Sequence, residues 1–92
     1  MEEAKLIITI TGIDKVGIVA KFADILAKHQ VNIEDIRQTI MQDYFVMIVM
    51  ADFSNANCSF QEFKQCLLDL GKEMDMEVWV QRKKLFDKMH TI

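Results

Sequence analysis

Residues 44–53 (YFVMIVMADF) are apolar at odd and even positions alike, and no other stretch limits the fold so strongly. Side chains alternate across a strand, so a strand of this composition needs cover on both sides, at least in part. It belongs in the middle of a sheet. No apolar run in the chain approaches the roughly 20 residues that a membrane-crossing helix requires.

The segments around it supply its neighbours. Residues 5–11 (KLIITIT) put Leu6, Ile8 and Ile10 on one face and Ile7, Thr9 and Thr11 on the other, which predicts a first strand. Residues 31–41 predict a second, longer strand with Ile36, Gln38 and Ile40 on one face and Arg37, Thr39 and Met41 on the other. Ile33 and Ile36 are out of phase there, which predicts a bulge. Gln42 and Asp43 then form a hairpin turn into residues 44–53. Met76, Val78 and Val80, alternating with Glu77, Trp79 and Gln81, predict a fourth strand.

Two amphipathic helices fill the gaps. Ile18, Phe22, Ile25 and Leu26 recur at helical spacing within residues 16–29, while Lys21, Asp24 and Lys28 turn away. After a polar loop at residues 54–58, Ser59 and Glu62 have capping-box spacing, and Phe60, Phe63, Leu67, Leu70 and Met74 follow at helical intervals. That helix is expected to end between Gly71 and Asp75. Phe86 and Met89 predict one or two short helical turns in the tail. Its basic residues Arg82, Lys83, Lys84 and Lys88 read as a solvated face, or as an intersubunit match for the acidic N-terminus.

The order is therefore β-α-β-β-α-β. It predicts an α+β, ferredoxin-like sandwich: a four-stranded antiparallel sheet, first and third strands central, two helices on one face and a short C-terminal tail. Two helices cover only one face, so the other is expected to lie under the tail or a second subunit. All 92 residues are read as a single domain spanning 1–92. With 51% hydrophobic residues and no proline, the chain is globular, not disordered.

A net charge of −3 argues against direct nucleic-acid binding, which calls for a basic surface. The start, MEEAKL, is unlike a signal peptide, so no membrane attachment and a cytoplasmic location are expected. Cys58 and Cys66 match neither a C-x-x-C nor a zinc-finger pattern, so no metal is expected. Cys66 is read as a buried thiol and Cys58 as an exposed one. Catalytic residues are not found: His29 sits at a helix end, His90 in the tail, and the adjacent carboxylates Glu34 and Asp35 point to opposite faces of an extended segment. Neither an enzyme nor a cofactor is indicated.

One corner has the makings of a site. In residues 12–35 (GIDKVGIVAKFADILAKHQVNIED) a strand passes through a glycine-flanked polar turn into a helix. Helix N-termini expose unpaired N–H groups and positive potential, a seat for an anion such as a carboxylate. Gly12 and Gly17 allow close approach, and Asp14 and Asn32 add short polar side chains. The same residues also suit a plain turn, with Asp14 capping the helix and Asn32 starting a strand.

The spacing Gly12-x-Asp14-Lys15-x-Gly17-Ile18-Val19 after a strand, followed by a helix, Val31-Asn32-Ile33 and Gln38, resembles that of ACT domains. These are regulatory modules that typically bind amino acids at subunit interfaces. The ending LFDKMHTI is similar to that of the small stand-alone ACT proteins of the UPF0237 group, and there is a looser similarity to the ACT halves of a glycine-cleavage regulator. The resemblance implies a ligand carboxylate on the backbone N–H groups of the turn formed by Val16, Gly17, Ile18 and Val19. It further implies Asp14 and Asn32 on the ammonium, Ile13 and Ile18 as apolar walls, and Gln38 as a further contact or a cross-link of sheet or dimer. Val16 stands where such domains frequently carry proline, which leaves the turn less preorganised. The implied function is a homodimeric sensor of a small amino acid or related zwitterion that acts on an enzyme or transcription factor. The alternative is a protein-interaction module that keeps the fold without the ligand.

Overall fold

The computed structural model describes residues 4–89; the acidic Glu2 and Glu3, and His90, lie outside them. The elements are β1 (Lys5–Ile13), α1 (Ile18–Lys28), β2 (Asn32–Met41), β3 (Tyr44–Asp52), α2 (Phe60–Met74), β4 (Met76–Arg82) and α3 (Lys83–Met89). The sheet is antiparallel in the order β2-β3-β1-β4, so the first and third strands are central as expected. The bulge lies between Ile33 and Asp35.

Alternation along β3 explains its composition. Phe45, Met47, Val49 and Ala51 are buried towards the helices, where they meet Leu6, Ile8 and Ile10 of β1 and Phe22, Leu26, Phe63 and Leu67 of α1 and α2. On the opposite face Val46 and Met50 are half-buried and Ile48 is exposed. The short α3 packs against β1 and β4, and Ile7 on that face is only 4% exposed. The tail thus shields one end of the outer face, while Ile13, Met41, Tyr44, Ile48 and Trp79 stay open to solvent.

The helix ends follow local chemistry. Ser59 accepts the Glu62 N–H at 3.1 Å and the Glu62 carboxylate accepts the Ser59 N–H at 3.0 Å, the full capping box. These bonds hold the Glu62 carboxyl below its ordinary range. At the end of α1, Gln30 N–H donates to the Ala27 carbonyl at 3.1 Å and Val31 N–H to the Leu26 carbonyl at 2.9 Å. This pair of bonds is a Schellman closure, and it forces Gln30 to φ 58°. A left-handed backbone costs an L-residue about 1–2 kcal/mol that glycine avoids. Gln30→Gly is therefore expected to raise the melting temperature, by about 4–8 °C per kcal/mol recovered. A fall would show that the glutamine side chain contributes more than its backbone costs.

Two expectations about thiols are corrected. Cys66 is half-buried, not buried, with its Sγ 3.9 Å from His29 Nε2, and Cys58 is half-buried and packed against the core. Burial pushes the Cys58 thiol pKa up, which lowers its reactivity.

Candidate functional site

The turn between β1 and α1 is shaped by Gly17. Its φ of 89° is left-handed, it occupies the N-cap position, and its carbonyl accepts the Lys21 N–H at 3.0 Å. The N–H groups of Ile18, Val19 and Ala20 consequently have no intrahelical carbonyl to bond, and no acidic side chain lies in this first turn. A Cβ at Gly17 would meet nothing within 4 Å. Its requirement for glycine is conformational, and the space over the turn is open. Val16 beside it is 99% exposed.

Asp14 does not cap α1, because the glycine three residues later occupies that position. Its own N–H donates to the Asp43 carbonyl at 2.8 Å, which fastens the turn to the β2–β3 hairpin, and its side chain is exposed. Lys15 donates from Nζ to the Met74 carbonyl at the C-terminus of α2, where a cation is favoured.

Gly12 has a different reason to be glycine. A Cβ there would lie 2.7 Å from Met76 Sδ and 3.3 Å from the Asp75 carbonyl, so the residue lets β4 begin close against β1. That is a packing role.

Neither expected apolar wall faces the N–H groups of the first turn of α1. Ile18 is 2% exposed and sits in the core cluster. Ile13 lies opposite Tyr44 on the outer face of the sheet, away from the helices. Gln38 pairs with Met47 on the helix side of β2, exposed and near the end of the sheet where the turn lies. Asn32 is at the other end: it pairs with Asp52, whereas Gly12 is level with Phe45 and Ile40. Eight positions of extended strand between Asn32 and Ile40 span about 25 Å. Within one chain Asn32 does not meet the turn, because α1 carries the backbone back along the sheet before β2 begins.

The structure adds a feature that reading the residues missed. Between α1 and β2 runs an apolar cleft of about 60 Å³, with Val19, Phe22 and Ala23 on one side and Ile33 and Ile36 on the other. The only hint in the sequence was an edge strand unusually rich in isoleucine. Elsewhere the chemistry is structural. His29 Nδ1 lies 2.8 Å from the Ile25 carbonyl and its ring packs edge-on against Phe63 at 5.8 Å. Among the described residues no group of three His, Cys, Asp or Glu is placed to hold a metal ion, and no helix is long and apolar enough to cross a membrane.

A sheet of this order, two helices on one face and a glycine-capped turn after β1 coincide with the match of residues 4–81 to the ACT-domain family model. The chain belongs to the ACT-domain family. A UPF0237 protein of Methanococcus maripaludis is 44% identical to this ACT domain over 87 residues, covering 95% of this chain and 97% of that one. An ACT domain protein from Streptococcus pneumoniae superposes with a TM-score of 0.77 at 31% identity, over 90% of this chain and 93% of that one. A putative glycine cleavage system transcriptional repressor shares the fold at TM-score 0.76 and 24% identity, over 85% of this chain and 44% of that one. ACT domains are typically regulatory small-molecule-binding modules, and none of these matches points to a catalytic family.

Proposed function

We propose that this ACT domain is a non-enzymatic, cytoplasmic sensor that binds a small amino acid or related zwitterion at the seam of a homodimer joined along β2. The observation that carries the reading is β2 itself. All ten of its residues are exposed, Ile33, Ile36, Ile40 and Met41 among them, on an edge strand without proline. Long apolar edges of this kind are templates for pairing with another chain. A two-fold, antiparallel pairing sets the start of one strand against the end of the other. Asn32 of a second copy then comes to the end of β2 near Gln38 and the Gly17 turn, resolving its separation from the turn within one chain. The ligand carboxylate takes N–H groups of the first turn of α1, with Asp14 and the second copy's Asn32 for the ammonium. Ligand and assembly are coupled because the site is complete only in the dimer.

Ile40→Lys puts a charge on the seam at a residue already 58% exposed. It is expected to leave the circular dichroism spectrum unchanged, to make the protein monomeric in sedimentation velocity, and to weaken amino-acid binding by about tenfold or more. A dimer unaffected by the lysine would move the interface elsewhere. Calorimetry against the twenty amino acids tests the ligand: binding of none would favour the second reading, a ligand-free module that grips an enzyme or transcription factor. That reading is supported by the open outer face around Ile48 and Trp79.

A further inference from the structure

We propose that Cys66 and His29 form a thiol–imidazole pair, which makes Cys66 a site of covalent modification by exchange with a small-molecule disulfide. Neither the ligand seat nor the seam enters into it.

The place of His29 in the fold leaves one ring nitrogen over. A carbonyl oxygen only accepts, so the 2.8 Å contact with Ile25 puts a proton on Nδ1. In the neutral ring Nε2 then carries a lone pair, and Cys66 Sγ lies 3.9 Å from it, with the thiol as donor. The Ile25 carbonyl and the edge-on contact with Phe63 together fix how the imidazole points. A nucleophile near a base that a third group orients is the arrangement that activates thiols, and its contacts are often loose before a reactant arrives. Cys66 is only half-buried, so a small reagent can reach it.

The surroundings favour a proton on the ring. Glu62 stands one turn before Cys66 on α2, and its carboxylate and the His29 ring feel each other's charge, so an imidazolium is stabilised there. Lys28 is turned to Asp24 at 3.0 Å. The loop after β3 holds the end of α1 from the other side, Asn57 N–H donating to the His29 carbonyl at 3.1 Å and Asn57 Nδ2 to the Lys28 carbonyl at 3.0 Å. That loop also carries Cys58, packed against the core without a base beside it. The two thiols do not join each other. From Ser59, the N-cap of α2, to Cys66 the helix rises about 10 Å, whereas a disulfide needs Cα atoms within about 7 Å. The product at Cys66 is therefore a mixed disulfide.

The exchange balances without a further oxidant. Nε2 takes the thiol proton as Sγ attacks one sulfur of the incoming disulfide. The bond between the reagent's sulfurs breaks, a new one forms at Sγ, and the departing thiolate takes the proton from Nε2 and leaves as a thiol. The group left on Sγ crowds the imidazole, which is the contact between the end of α1 and Phe63.

The test treats the full chain with dithiobis(nitrobenzoate) and follows the coloured thiolate released, with Cys58→Ser and Cys66→Ser assigning each phase. Cys66 is expected to react about tenfold faster than Cys58, and His29→Gln to slow Cys66 by about tenfold while leaving Cys58 unchanged. Equal rates for the two thiols, or a Cys66 rate indifferent to His29→Gln, would overturn the pair. A second measurement needs no variant at position 29. Below an ordinary thiol pKa of about 8.5 the rate of an isolated thiol falls tenfold per pH unit, whereas Cys66 is expected to fall more shallowly because its proton passes to the ring. A full tenfold fall at Cys66 overturns the proposal whatever the variant does. The mixed disulfide is expected to melt at a lower temperature than the free protein until a reductant removes it, and an adduct without that effect would overturn the contact with the ring.

Discussion

Phe63→Ala is expected to remove about 3–5 kcal/mol of stability, read as a shift of the urea midpoint at fixed protein concentration. Phe63 is fully buried, and its ring packs against Phe53 at 5.5 Å and against His29 at 5.8 Å. It therefore joins α2 to the end of α1 and to the loop after β3. Truncation opens a cavity where three elements meet, and their backbones are held by the sheet and by the Schellman closure, so little collapse can fill it. Domains of this size carry about 5–15 kcal/mol in all, so the loss is a large share of the total. Concentration must be held constant because a dimer adds its own mass-action term. A loss below about 1.5 kcal/mol would mean that the helices slide to close the gap and that the core is less tightly determined than its burial indicates.

Gly17→Val is expected to abolish amino-acid binding while leaving a folded protein. The φ of 89° is a left-handed conformation that a β-branched residue adopts at a cost of about 1–2 kcal/mol, yet nothing lies within 4 Å of the new Cβ. The strain has two outlets. The turn keeps its shape at lowered stability, with the valine side chain projecting into the open space beside it, or it relaxes and rotates the first-turn amides out of alignment. On the reading proposed above, either outcome spoils the seat for a carboxylate. Melting should fall by about 5–15 °C with a cooperative transition retained. Unaltered calorimetric titration would show that the ligand sits elsewhere, and global unfolding would show that this glycine serves the fold alone.

The architecture was legible because its signals are local. Alternation in β1 and β4, the phase break between Ile33 and Ile36 and the spacing of Ser59 with Glu62 each involve residues a few positions apart, and each appears where it was expected. The site was less legible because its geometry is set by distant residues. Asp14 looked like the helix cap, but a glycine in the left-handed region ended the turn later than side-chain preference suggests. Gly12 looked like a place for a ligand to approach, yet its neighbour is Met76 from the far end of the chain. Ile18 looked like a pocket wall; the period that makes α1 amphipathic turns it into the core. Asn32 looked close to the turn because it follows the same helix, and that helix is what carries it away. The cleft depends on how α1 lies beside β2, which no single segment encodes.

The turn is moored on two sides, by the Asp14 N–H to the hairpin at Asp43 and by Lys15 to the last carbonyl of α2. A loop held in this way does not shift alone. If this turn is the ligand seat proposed above, any tightening around an arriving effector pulls on the tip of the β2–β3 hairpin and on the junction where α2 gives way to β4. Those two places on the molecular surface are where another protein would feel that the effector had come.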